Sequence, residues 1–197
     1  MLAAIEERQT ASPPRRRLTR GDRAVLELNG QLSGDRFELI EGDLVEKMPK
    51  NWPHTIAMIA FQTWLARAFG LDFFAPEAPT DVSLEDNPTS EPEPDFIVFN
   101  RSAYEFKTSK RSPEDLALVI EISNTSLRFD LTVKASLYAR AGIADYWVLD
   151  IKGRRLGVHR DPRDGVYTSI VWYGEHESVA PLAKPDAKFA VASAFVP

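Results

Sequence analysis

A chain of 197 residues is long enough for one domain that buries about 70% of its unfolded surface, so no disulfide or metal staple is needed to hold a core. The absence of cysteine excludes thiolate zinc sites and a cysteine nucleophile. Apolar runs far shorter than the ~20 residues of a membrane helix, Glu6, Glu7 and Arg8 where a signal peptide would be apolar, and a net charge of -5 point to a cytoplasmic protein with no membrane partner that does not coat nucleic acid indiscriminately.

Residues 1–18, which include Ser12-Pro13-Pro14-Arg15-Arg16-Arg17, carry few apolar anchors and read as a flexible tail ahead of a domain over 19–197. Thr19 resembles the N-cap of a short helix through Leu28, with Val25 and Leu28 on its buried side. The runs 36–40 and 44–48 flank Glu41-Gly42-Asp43 and predict a β-hairpin turning at Gly42. Glu38 sits inside the first of these runs, either as a site residue or on the exposed face of an alternating strand.

Pro53 is placed as the first residue of a helix whose apolar face is Ile56, Ile59, Ala60, Thr63, Trp64 and Phe69, ending at Gly70. His54 falls in its first turn, where the helix dipole disfavours a cation and a neutral imidazole offers one donor and one acceptor; a structural role is the alternative. Short strands are predicted over 73–76 and 80–84. Pro94 then favours an extended approach to Asp95, after which Phe96-Ile97-Val98-Phe99 is a buried strand. Asn100 to Pro113 is a polar connection whose Arg101, Lys107, Lys110 and Arg111 either meet phosphates or keep a loop solvated.

The stretch Leu116 to Lys134 carries the argument. Leu116-Ala117-Leu118-Val119-Ile120-Glu121-Ile122-Ser123 reads as a strand covered on both faces, with Leu118, Ile120 and Ile122 on one side and Val119, Glu121 and Ser123 on the other. A carboxylate leaving water without a partner costs several kcal/mol on this scale, so Glu121 has to meet a cation, a metal or a proton. A helix of about four turns follows between the candidate caps Ser123, Asn124 and Ser126 and the terminator Gly142. On it, Leu127, Leu131, Lys134 and Tyr138 share one stripe, which aims Lys134 at Glu121. The alternatives for Lys134 are snorkelling to the surface or pairing with Asp130. Strand 145–150, hairpins beyond Gly153 and Gly165, and a mixed tail from Glu175 without an assignable site complete the chain.

Asp95 and Glu121 each belong to a buried strand, and neighbouring strands lie about 4.8 Å apart, so suitable pairing makes the two carboxylates converge. Oxygen ligands suit a hard cation, Mg2+ or Mn2+, with Asp95 and Glu121 as metal ligands and Lys134 stabilising charge that builds on a phosphodiester. Glu38 and His54 are possible accessory groups.

At these residues the sequence resembles the PD-(D/E)XK restriction-endonuclease-like superfamily, with Pro94-Asp95 as the first element and Glu121-Ile122-Ser123 as the second. Ser123 departs from the pattern, which places lysine there, and Lys134 on the following helix is the substitute. More specifically, the chain is similar to the Uma-two family of restriction-endonuclease-like proteins. The matching pieces are Phe37-Glu38-Leu39-Ile40-Glu41-Gly42, His54, Glu93-Pro94-Asp95, the strand through Ser123, Asp130 with Lys134, and Tyr138 to Trp147. The resemblance implies an α/β (α+β mixed) fold, a mixed β-sheet flanked by helices with additional β-hairpins, and a magnesium-dependent nuclease site. The expected activity is endonucleolytic hydrolysis of DNA, with a homodimer as the working unit because cutting two strands suits a symmetric pair. The alternative is a non-catalytic module that keeps the fold to bind nucleic acid or protein.

Overall fold

The computed structural model describes residues 16–33, 36–107 and 111–195. Most of the expected N-terminal tail, and Lys110 of the polar loop, lie outside the described residues. Chain order is α1 (Arg20–Leu28), β1 (Phe37–Ile40), β2 (Asp43–Glu46), α2 (Trp52–Ala68), β3 (Phe74–Pro76), β4 (Phe96–Phe99) and β5 (Leu116–Ser123). There follow a helical segment made of α3 (Leu127–Phe129), a π-turn (Asp130–Lys134) and α4 (Ala135–Arg140), then β6 (Asp145–Asp150), β7 (Arg155–Arg163), β8 (Val166–Gly174), β9 (Ser178–Val179) and β10 (Phe189–Ala190).

Six strands form one sheet in the order β3-β4-β5-β6-β7-β8. Its pairs are antiparallel except β5 with β6, which run parallel because the helical segment carries the chain back between them. Alternation along β5 sorts its side chains as the pattern predicts. Leu118, Ile120 and Ile122 join a core beneath α2, and Val119 joins a second core beneath α4, on the face shared by Glu121. The C-terminal residues Phe189, Val191, Ala194 and Phe195 close the α2 core, with Phe189 stacked on Phe61 at 4.3 Å between ring centroids. The mixed tail of the sequence is thus a structural lid over that face.

Local chemistry sets the element ends. Thr19 and Asp22 form a reciprocal capping box on α1. Glu41 (φ 50°) and Gly42 (φ 85°) make the two-residue turn between β1 and β2, and a side chain at 42 would collide with Arg17.

Three expectations fail. In α1 the residues assigned to the buried side, Val25 (55% exposed) and Leu28 (86%), face solvent while Arg23 is 6% exposed. The helix docks through its charge, because Arg23 bonds Glu27, Glu91 and Glu93 at 2.7–3.1 Å. In α2 the buried residues are Ala57, Phe61 and Leu65, whereas Ile59 and Thr63 are exposed. That helix is apolar on nearly every side, so its pattern does not choose the face and aromatic stacking does. Thr80 to Leu84 is not a strand. Its backbone groups bond elsewhere instead: Thr80 N–H donates to the Pro92 carbonyl (3.0 Å), the Thr80 carbonyl accepts from Arg20 (3.4 Å) and Val82 N–H donates to Asn87 Oδ1 (2.8 Å).

Candidate active site

Register brings the two acids together. Phe96 pairs with Ile120, so the next pair outward is Asp95 with Glu121, across adjacent antiparallel strands. Asp95 is locked there: its Oδ2 accepts the Ile122 N–H at 2.6 Å, and its Oδ1 lies 3.1 Å from His54 Nε2. His54 reaches it because Asn51, not foreseen as the cap of α2, accepts the His54 backbone N–H at 3.1 Å and starts the helix beside the mouth of β4.

Lys134 points inward as the helical spacing predicts. Its Nζ lies 2.9 Å from Glu121 Oε1 and 3.0 Å from Glu38 Oε1. It neither snorkels nor pairs with Asp130. Glu38 is buried rather than on an exposed face, and its Oε2 accepts the Glu93 N–H at 3.2 Å. Tyr138, one turn after Lys134, donates its hydroxyl to the same Glu121 Oε1 at 3.1 Å. Lys134 and Tyr138 both address Oε1, so Glu121 Oε2 has no protein donor among the described residues.

Asp130 completes the cluster. It is buried and accepts both Ser123 Oγ and Ser126 Oγ at 2.6 Å on Oδ2. Ser126, at the N-cap position, spends its hydroxyl on Asp130 and makes no capping bond. The Asp130 carbonyl, which takes the Ala135 N–H that closes the π-turn, also accepts Tyr146 OH at 3.0 Å. Ser123, which stands where the superfamily pattern has lysine, is therefore a fixed hydroxyl on an acid. Glu93 is a further acid that sequence reading did not single out; Arg23 and Lys47 hold it at the rim. The signal for both lies in spacing, since Ser126 and Asp130 stand four apart on a helix and Glu93 two before Asp95 on an extended segment.

Glu38, His54, Asp95, Glu121, Asp130 and Lys134 all line one cleft of about 130 Å³ between the β1–β2 hairpin, the start of α2 and the π-turn. Arg101 and Arg111 lie outside it, the first on Asp115 at 2.9 Å and the second donating to the Pro79 carbonyl. Its lining holds seven carboxylates, including Glu46, Glu77 and Glu93, against the three lysines Lys47, Lys50 and Lys134. The electrostatics follow from this excess. Burial, reinforced by Asp130, Asp95 and Glu38, pushes the Glu121 carboxyl well above the usual carboxylate range, and Lys134 opposes it. Burial by itself would make Lys134 shed its proton, but Glu121, Glu38 and Asp130 outweigh it and hold the ammonium charged. Burial and the facing Glu121 keep the Tyr138 phenol protonated.

Among the described residues, no group of three or more His, Cys, Asp or Glu side chains is arranged to hold a metal by itself. A magnesium ion asks less, one or two carboxylates with water in the remaining positions. Asp95 together with the free Glu121 Oε2 fits that donor set in chemistry and charge.

A six-stranded mixed sheet with this cleft at the ends of β4 and β5 has the restriction-endonuclease-like fold. A family model described as "Uma2: Putative restriction endonuclease" matches residues 24–192, and the chain belongs to that family. The structure is similar to a solved chain from Anabaena variabilis, titled a putative nuclease belonging to DUF820. The TM-score is 0.65 and the identity 14%, over 86% of this chain and 95% of that one, a likeness in fold. A search of curated proteins finds no match.

Proposed function

We propose that the protein is a metal-dependent endonuclease that hydrolyses phosphodiester bonds of DNA, with Asp95 and Glu121 holding Mg2+ or Mn2+ and Lys134 as the electrostatic catalyst. The observation that carries this reading is the excess of buried carboxylates around a Glu121 oxygen without a donor. Such a cleft repels a bare phosphate and attracts a divalent cation. When bound, that cation supplies an activated water and neutralises phosphate charge.

The chain's own groups divide the remaining work. Tyr138 and Lys134 hold Glu121 by one oxygen and leave the other toward the cleft. His54 and the Ile122 N–H fix both oxygens of Asp95. Lys134, kept charged, stands where negative charge grows on the phosphorus oxygens as water adds and the P–O bond breaks, a contribution of about 10²–10³ in rate for a donor of this kind. Glu38 shares Lys134 with Glu121 and so positions the ammonium. A homodimer would present two such sites to two strands.

Asp95→Asn and Glu121→Gln are expected to fold as the parent does and to lose Mg2+- or Mn2+-dependent nicking of plasmid DNA. Cleavage equal to the parent's in both variants ends the proposal. The full engagement of Lys134 by two carboxylates favours a second reading, a nucleic-acid- or protein-binding module that keeps the cluster as a structural salt bridge. Calorimetry separates the two readings. Binding of Mn2+ that Asp95→Asn abolishes belongs to the nuclease, and its absence in the parent belongs to the module.

A further inference from the structure

We propose that β8 is a pairing edge for a second copy of this chain, joined antiparallel about a two-fold axis at Ile170 so that the two six-stranded sheets run on into one. Among the described residues β7 is the sole neighbour of β8, which therefore offers a row of unpaired backbone groups. Edge strands are ordinarily blunted by brevity, proline or charge. The opposite edge obeys that rule, since β3 has three residues and ends in Pro76. By contrast β8 has nine, VYTSIVWYG, with no proline and no charged side chain. It also exposes apolar surface on both faces of the sheet, with Val166 57%, Ile170 52% and Val171 47% accessible. A hollow of about 260 Å³ lies beside it against the helical segment, lined in part by Leu131, Ala135, Val166, Tyr167 and Ile170.

Charge and symmetry select a second copy as the occupant. Two chains of net charge -5 repel over most of their surfaces, and β8 is an uncharged strip on which they can meet. Ile170 is the midpoint of Val166–Gly174, so self-pairing about it sets Ile170 against Ile170, Ser169 against Val171 and Val166 against Gly174, with no like charges opposed. Gly174 N–H, at the end of the strand, is already taken by Glu177 Oε2 at 2.7 Å, so pairing runs over 167–173 and leaves Val166, its partner by symmetry, outside the ladder. The inference stands on this edge alone, whether or not the cleft hydrolyses anything.

Sedimentation of the full chain is expected to give twice the mass of one chain, and Ile170→Lys to give a single chain at concentrations where the parent is paired, with unchanged circular dichroism. Because the chain has no cysteine, Ile170→Cys carries one thiol, and directly opposed residues of an antiparallel pair lie about 4.5–5.5 Å apart at Cα, inside the roughly 4.4–6.8 Å that a disulfide spans. Mild oxidation should convert most of it to a covalent pair, while Leu84→Cys, 84% exposed on another surface, stays single. A parent that sediments as one chain at every concentration overturns the proposal and leaves the edge to a strand from a different protein. A dimer that neither Ile170→Lys divides nor Ile170→Cys cross-links overturns it as well.

Discussion

The two faces of the sheet are built from alternate residues of the same strands, and only one of them buries charge. On the first, Phe61 and Leu65 of α2 meet Phe96, Trp147 and Phe189, an aromatic and aliphatic layer in which Trp64 also stacks on Trp147 at 5.6 Å. On the second, one step along β5, an apolar core that includes Ile97, Val119 and Val148 surrounds Glu121, which meets Lys134 of the π-turn, with Asp130 beside them and Glu38 brought in by the hairpin. Apolar burial on both faces stabilises the fold, at about 25 cal/mol per Å². The charges set into the second face draw on that stability, because buried charges repay their desolvation only when every partner is in place.

Substitutions on the two faces should therefore separate stability from activity. The largest effect belongs to Lys134→Met, which strands two buried carboxylates and is expected to cost about 3–5 kcal/mol in urea unfolding, with cleavage down about 10²–10³-fold. Adding Glu38→Gln and Glu121→Gln neutralises the stranded acids, so stability should return while cleavage does not; unrecovered stability would mean that the charges do more than offset one another.

On the other face, Leu65→Ala should cost about 2–5 kcal/mol and leave the cleavage rate per folded molecule unaltered. A fall in that rate would show the faces to be coupled. His159 tests the second face away from the acid cluster, packed 5.4 Å from Tyr146 and 5.8 Å from Tyr167 between ring centroids. Burial holds its imidazole below the ordinary value of 6.5. The unfolded chain therefore takes up a proton that the native one refuses, and stability falls as pH drops below about 6.5. Thermal melts of His159→Phe should show a shallower loss over that interval. The smallest effect is at a site away from both faces: Thr19→Ala removes the α1 cap and should cost about 1 kcal/mol.

The sequence makes Glu121 and Lys134 legible because each is a lone charge among positions that periodicity assigns to the interior. Asp95 follows from its place at the mouth of an apolar strand. Where the signal is a contrast between one residue and its pattern, it survives folding. It fails in α2, whose apolar residues surround the axis, and in α1, where a helix buries an arginine because acids from Glu91 and Glu93 meet it from 68 and 70 positions away. Asp130 shows a subtler loss. Its neighbours Ser123 and Ser126 are close in sequence, yet the turn that sets it relative to Lys134 is wider than an α-helical one, and no hydrophobic spacing announces that width. The core residues after Glu175 are invisible for the plainest reason, since their partner α2 lies more than a hundred positions earlier.

The π-turn over Asp130–Lys134 has a consequence for how this segment tolerates change in length. A residue removed between 131 and 133 would let the helix relax to ordinary pitch and leave the turns on either side facing as before, because a π-turn holds one residue more than an α-turn. The same deletion ahead of Tyr138 in α4, which is regular, would swing what lies before it by about 100° relative to what lies after, and Tyr138 would part company with Lys134 though neither side chain had been altered. Counting, more than composition, governs this segment.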